Sequence, residues 1–118
     1  MNGYMKTKIE GGSVVNTISI ATGKFWHDIF NDLVEYSHVI GDKPDARRVY
    51  ESYLDEHFER IDDIRVKGNL ISVRKFCKSH PTGSYVIRTA LHIAAVVDGV
   101  YYDYDNFSNH NLYCAWRV

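Results

Sequence analysis

Cysteine, proline and long apolar runs are scarce in this chain of 118 residues. The two cysteines, Cys77 and Cys114, are too few for a disulfide framework or a cysteine-based zinc site. With only two prolines and eight glycines, the chain is neither collagen-like nor a linker. No stretch approaches the roughly 18 consecutive apolar residues of a membrane span, and residues 1–9 lead into no apolar run typical of a signal peptide. We therefore expect a cytoplasmic protein without membrane contact.

An excess of charge of one sign is also missing. The chain has 14 Lys and Arg residues against 15 Asp and Glu, a net charge of −1, which excludes a strongly basic nucleic-acid binder. Its histidines form no pair at i, i+4 spacing, so neither a metal site nor a cofactor is predicted. A hydrophobic content of 45% allows a real core, and the length predicts one domain over residues 1–118.

Apolar periodicity predicts three helices in the first half of the chain, at residues 13–22, about 25–38 and about 45–58. The residues predicted to face the core are Val14, Ile18 and Ala21, then Phe25, Trp26, Ile29, Phe30, Leu33 and Val34, then Val49, Tyr50, Tyr53 and Leu54. Ser13 lies at or near the first helix's N-terminus, and Gly23 is predicted to end that helix.

The second half of the chain favours strands. Residues 59–71 are ambiguous and predict at most one short strand, after which Ser72 is expected to cap a short helix ending near Ser79. Strands are predicted at residues 85–88, 92–97, 100–104 and 112–117. The dipeptide Asp98-Gly99 is a strong signal for a two-residue hairpin turn, and Asp98 is expected to serve that turn only. Together these elements predict an α+β domain.

The hairpin places a histidine near acidic residues. With a turn at residues 98–99, Ala94 faces Asp103 and His92 faces Asp105, and all four lie on one side of the hairpin. A neighbouring carboxylate orients an imidazole and stabilises its charged form. The same arrangement is also an ordinary surface histidine–aspartate pair, so the hairpin alone leaves both interpretations open.

The order of these elements resembles the papain-like cysteine peptidase superfamily, and more closely its small C39-like, single-domain members from bacteriophages. In those proteins the nucleophilic cysteine opens the first helix. A histidine begins a strand with an apolar run and a glycine turn, and Asp or Asn follows on the next strand. The matching segments here are Gly12–Lys24 and His92–Asp103. The resemblance implies a papain-like fold in which N-terminal helices pack on a C-terminal antiparallel sheet.

The resemblance also implies a catalytic site. Ser13 stands where the family has its nucleophile, His92 is the general base and then the acid, and Asp103 holds the imidazole in place. Asp105 is the other acidic residue that the register allows in the third role. The implied activity is hydrolysis of a peptide or isopeptide bond by acyl transfer. The implied partner is a protein or peptide substrate, which for a phage protein would come from the host.

Serine at position 13 is the departure from the family pattern. A thiol at a helix N-terminus ionises readily, whereas a serine hydroxyl depends on a general base. Three explanations remain: an engineered replacement of cysteine, a natural serine nucleophile, or an N-cap in a pseudo-peptidase that binds and inhibits a host protein. We expect little activity with Ser13. We expect Cys77 and Cys114 each to be a small apolar residue that is buried or half-buried.

Overall fold

Three helices precede the strands of the main sheet along the chain. The computed structural model describes residues 12–62, 64–90, 92–102 and 110–118. The helices are α1 (Gly12–Thr22), α2 (Trp26–Ile40), α3 (Arg47–His57) and α4 (Val73–Ser79). The strands are β1 (Glu59–Ile61), β2 (Arg65–Val66), β3 (Asn69–Leu70), β4 (Ser84–Arg88), β5 (Ile93–Val97), β6 (Val100–Tyr102) and β7 (Cys114–Arg117). The predicted α+β class is confirmed, since the helices pack on an antiparallel sheet of five strands.

Burial holds α1 together, because its composition is a poor one for a helix. Val14 and Val15 are β-branched, as is Ile18, and such residues lower helix propensity. All three are buried in the core. The helix ends where the sequence predicts, at Gly23, whose backbone adopts φ +74° and whose N–H donates to the carbonyl oxygen of Ser19 at 2.9 Å.

The main sheet has the strand order β1-β7-β4-β5-β6, and every neighbouring pair is antiparallel. The predicted hairpin is confirmed, with Val97 paired to Val100. Both turn residues have positive φ, +50° at Asp98 and +77° at Gly99, as a type I′ turn requires. Asp98 does more than the sequence predicted, because its carboxylate accepts a hydrogen bond from the N–H of Gly83 at 3.0 Å. The hairpin is thereby joined to the start of β4.

The sheet buries both of its faces, since successive side chains point to opposite sides. The α1-side cluster takes Val86, Ile93, Ala95, Cys114 and Trp116 from the sheet and packs them against α1, α2 and α3. The opposite cluster takes Tyr85, Ile87, Ala94, Val96 and Ala115 and packs them against Val73 and Phe76 of α4. The first three helices therefore cover one face, and α4 covers the other.

Strand β7 lies inside the sheet, between β1 and β4. Its Trp116 is fully buried, and the indole Nε1 donates a hydrogen bond of 2.8 Å to Asp55 on α3. A buried indole N–H needs such a partner. The strand therefore connects the centre of the sheet to the helical layer.

Two predictions about local structure are wrong. Residues 59–71 contain three short strands instead of one: β1 joins the main sheet through β7, and β2 and β3 form a separate hairpin. Phe25 is 81% exposed, because it precedes α2 at its N-cap and lies off the helix's buried face. The cap at Ser72 is confirmed, as its hydroxyl accepts a hydrogen bond from the N–H of Lys75 at 3.2 Å.

Gly99 is a position where we expect an added methyl group to be costly. A Cβ there would lie 3.0 Å from the carbonyl oxygen of Cys77, on a backbone already in the left-handed region. We expect Gly99→Ala to lower the free energy of unfolding by about 2–3 kcal/mol in urea denaturation. Gly68→Ala is the matched control, because φ is +82° and no atom lies within 4 Å. Equal losses for the two variants would contradict the steric part of this prediction.

Candidate functional site

The first turn of α1 and the start of β5 line one cavity of about 260 Å³. Ser13 and Val14 line it from the helix, and His92 and Ile93 line it from the strand. Ser13 is exposed and His92 is half-buried. The structure therefore brings to one cavity two of the residues to which the sequence assigned catalytic roles.

Packing between α1 and β5 sets the position of Ser13. Val14 and Ile93 belong to the α1-side cluster and also line the cavity, so the apolar contact continues up to its wall. Ser13 is the second residue of α1 and lies in its first turn. The amides of a first turn have no partner within the helix and carry the positive end of its dipole. This part of the cavity is suited to a nucleophile and to developing negative charge.

A short turn before β5 positions His92. The N–H and the hydroxyl of Thr89 donate to the carbonyl oxygen of His92 at 2.9 and 3.3 Å. Arg47 on α3 donates from Nη2 to the carbonyl oxygen of Ala90 at 2.7 Å. The turn is thus held both by its own residues and by the neighbouring helix.

The alternation of side chains along a strand, which predicted His92 on the same sheet face as Ala94, does not extend to His92. Ala94 packs in the opposite cluster, on the sheet face away from α1, whereas Ile93 packs on the α1 side and lines the cavity. His92 precedes β5, and outside a strand the alternation does not apply. Asp103 and Asp105 lie outside the described residues, so the third role assigned to them stays a prediction.

Three residues near the start of α3 also line the cavity, and sequence reasoning did not assign them to the site. They are Asp45, Arg47 and Tyr50. Arg47 is exposed, yet its guanidinium donates a hydrogen bond to the turn before β5. Burial raises the pKa of Tyr50, and a hydrogen bond with Arg47 acts in the opposite direction. No local pattern marks these residues, because their place depends on how α3 packs.

The two cysteines are remote from this chemistry. Cys77 is half-buried and Cys114 is buried, both thiols are free, and neither residue lines the cavity. Burial raises the pKa of each thiol. The expectation that each cysteine is buried or half-buried is confirmed. A thiol with a raised pKa is a poor nucleophile at neutral pH.

Comparisons of the chain with protein-family models, with curated proteins and with solved structures found no match. Within the described ranges, no group of three or more His, Cys, Asp or Glu residues could hold a metal ion. None of the described helices combines the length and apolar content that a bilayer span needs.

The contact between Arg47 and Ala90 can be tested by hydrogen exchange. We expect Arg47→Ala to speed exchange of the Thr89 amide several-fold, because the turn that shields this amide loses its anchor on α3. Arg48→Ala is the matched control, since Arg48 is also exposed on α3 but pairs with Asp42. An unchanged Thr89 rate in Arg47→Ala would show that the turn does not depend on this hydrogen bond.

Proposed function

We propose that the protein is a papain-like hydrolase that acts on a peptide or isopeptide bond in the cavity between α1 and β5. The observation that carries the proposal is that Ser13, in the first turn of a buried helix, and His92, far away in sequence, line one cavity. A nucleophile, a base and free backbone amides are the components that acyl transfer requires. Asp103 is assigned to orient the imidazole.

The proposed reaction has two steps. The oxygen or sulfur of residue 13 attacks the substrate carbonyl while His92 takes its proton, and His92 then passes that proton to the leaving amine. In the second step His92 takes a proton from water, which attacks the acyl carbon. The bond from that carbon to residue 13 then breaks, His92 returns the proton to the oxygen or sulfur of residue 13, and the acid product leaves. We assign stabilisation of the oxyanion in each tetrahedral intermediate to the first-turn amides of α1, at Ser13 or Val14.

Serine limits the rate in this form of the chain. The positive end of α1 and a neighbouring imidazolium lower the pKa of a thiol enough to ionise it, but a hydroxyl stays protonated until the base acts. We therefore propose little hydrolysis with Ser13 and expect a thiol at this position to restore it.

Ser13→Cys tests the proposal through thiol reactivity. We expect iodoacetamide at pH 6 to label residue 13 at least about tenfold faster than Cys77 or Cys114, because burial raises the pKa of both native thiols. Mass spectrometry of the digested protein measures all three rates in one sample. A peptide library incubated with the same variant reports cleavage.

Two controls separate a paired thiol from an exposed one. Ser13→Cys combined with His92→Ala keeps the helix N-terminus but removes the imidazole, and labelling should then slow. Ser79→Cys places an exposed thiol at the last residue of α4, where the helix dipole opposes ionisation. If labelling at residue 13 does not depend on His92, the hydrolase proposal is wrong. If labelling does depend on His92, Asp103→Asn and Asp105→Asn, each combined with Ser13→Cys, show which carboxylate supports the imidazole: the one whose loss slows labelling.

A second candidate is a pseudo-peptidase that binds a host protein or peptide without cleaving it. Arg47 favours it, because a guanidinium at the cavity wall can hold a peptide carboxylate whether or not residue 13 is reactive. Peptide binding that is lost in Arg47→Ala, together with labelling that is independent of His92, would support this candidate over the hydrolase.

A further inference from the structure

A second cavity, of about 440 Å³, lies between α2 and α3. We call it the α2–α3 groove, and its walls include Asp32, Glu35, Tyr36, Val39, Glu56 and His57. It shares no lining residue with the cavity at Ser13. Helix α3 contributes residues of its first turn to the Ser13 cavity and residues of its last turn to this groove. At the α-helical rise the two sets lie about 9–15 Å apart along the helix. The groove is therefore separate from the proposed catalytic residues.

The charge of the groove is negative. Its carboxylates are Asp32 and Glu35 on α2 and Glu56 on α3. Helix α2 contains no Lys or Arg, and in the part of the chain that the structure describes none of the three carboxylates forms an ion pair. The negative charge is therefore available to a ligand.

The other polar groups of the groove add hydrogen-bond acceptors. His57 Nδ1 lies 2.9 Å from the carbonyl oxygen of Tyr53, and only a protonated Nδ1 can donate to it. In the neutral ring this leaves Nε2 as an acceptor. Burial and the neighbouring Glu56 carboxylate raise the pKa of Tyr36 to about 12, so its hydroxyl stays protonated at neutral pH. A ligand rich in N–H donors would complement these groups.

A buried hydroxyl beside the groove has no partner. Tyr53 is fully buried, and its hydroxyl makes no hydrogen bond to any described residue. Its ring stacks on His57 at 4.4 Å and meets Tyr36 edge-on at 5.6 Å, so Tyr53 packs directly behind two of the residues that line the groove. Burial, and then the charge of Asp32, raise the pKa of Tyr53 to about 12. An unpaired buried hydroxyl costs stability, which a donor or acceptor on a ligand would recover.

We propose that the α2–α3 groove binds a basic side chain of a peptide, with its guanidinium or ammonium group among the three carboxylates. An organic cation fits better than a metal ion, because these carboxylates do not form a group able to hold one. Tyr36 offers an aromatic ring to the cation, and Val39, 88% exposed at the same wall, offers apolar surface. That apolar surface favours a peptide in which an apolar residue adjoins the basic one.

The test uses two peptides that differ only in charge. N-acetyl-Leu-Arg-amide carries the proposed group, and N-acetyl-Leu-citrulline-amide is its neutral isostere. In proton–nitrogen NMR titrations we expect the arginine peptide to shift resonances of α2 and α3 and to bind about fivefold or more tightly than the citrulline peptide. Added salt should reduce this difference, since the groove is open to solvent.

Variants locate the binding. Asp32→Asn and Glu35→Gln should each weaken the arginine peptide about two- to fivefold, whereas Asp28→Asn, a carboxylate on α2 outside the groove, should not. Tyr53→Phe should also weaken binding while leaving the stability of the free protein unchanged or higher, because it removes the unpaired hydroxyl. If the hydroxyl served the fold alone, Tyr53→Phe would instead lower the stability of the free protein and leave peptide binding unchanged.

Three results would overturn the proposal. Equal binding of the arginine and citrulline peptides would exclude recognition of charge. Equal effects of Asp28→Asn and Asp32→Asn would exclude the groove as the site. If spermidine bound as tightly as the arginine peptide and caused no shift at Val39, the ligand of the groove would be a free polyamine and not a peptide. Because none of these experiments involves Ser13 or His92, failure here is distinct from failure of the hydrolase proposal.

Discussion

The burial of α1 against β4 and β5 is the contact on which the candidate site depends. An isolated helix of this length and β-branched composition would be marginal in water. Burying each large apolar side chain, such as Val15 or Ile18, contributes about 1.5–3 kcal/mol, which outweighs the loss of propensity. The same packing holds the first turn of the helix beside the start of β5 and so places Ser13 in the cavity with His92. Stability and site geometry are therefore set by one interface.

Sequence reasoning succeeded where a signal is local. The hairpin at Asp98-Gly99 depends on two adjacent residues that tolerate positive φ, and the cap at Ser72 depends on a hydroxyl three residues before the amide of Lys75. The three long helices follow from apolar residues that recur at helical spacing. Phe25 was misassigned because its hydrophobicity fits the buried stripe of α2, whereas its position before the helix turns it away.

Features that join distant segments were not predictable in this way. Arg47 looks like any charged residue on an exposed helix face, and only the packing of α3 brings it to Ala90. The α2–α3 groove forms only because the two helices pack side by side. In the sequence alone its carboxylates are indistinguishable from ordinary solvated charges. The location of Ser13 and His92 at one cavity is an exception, because the resemblance to papain-like peptidases suggested a long-range contact that local periodicity does not indicate.

The interior position of β7 has a consequence for the order in which the chain can fold during synthesis. β7 pairs with both β1 and β4, and Trp116 fills the core beneath the helices. Until residue 117 has left the ribosome, β1 has no neighbour in the sheet and the helical layer lacks its largest buried side chain. The helices can form earlier, but their apolar faces stay open to water until β7 is available. Closure of the sheet is thus a cooperative event that must wait for β7.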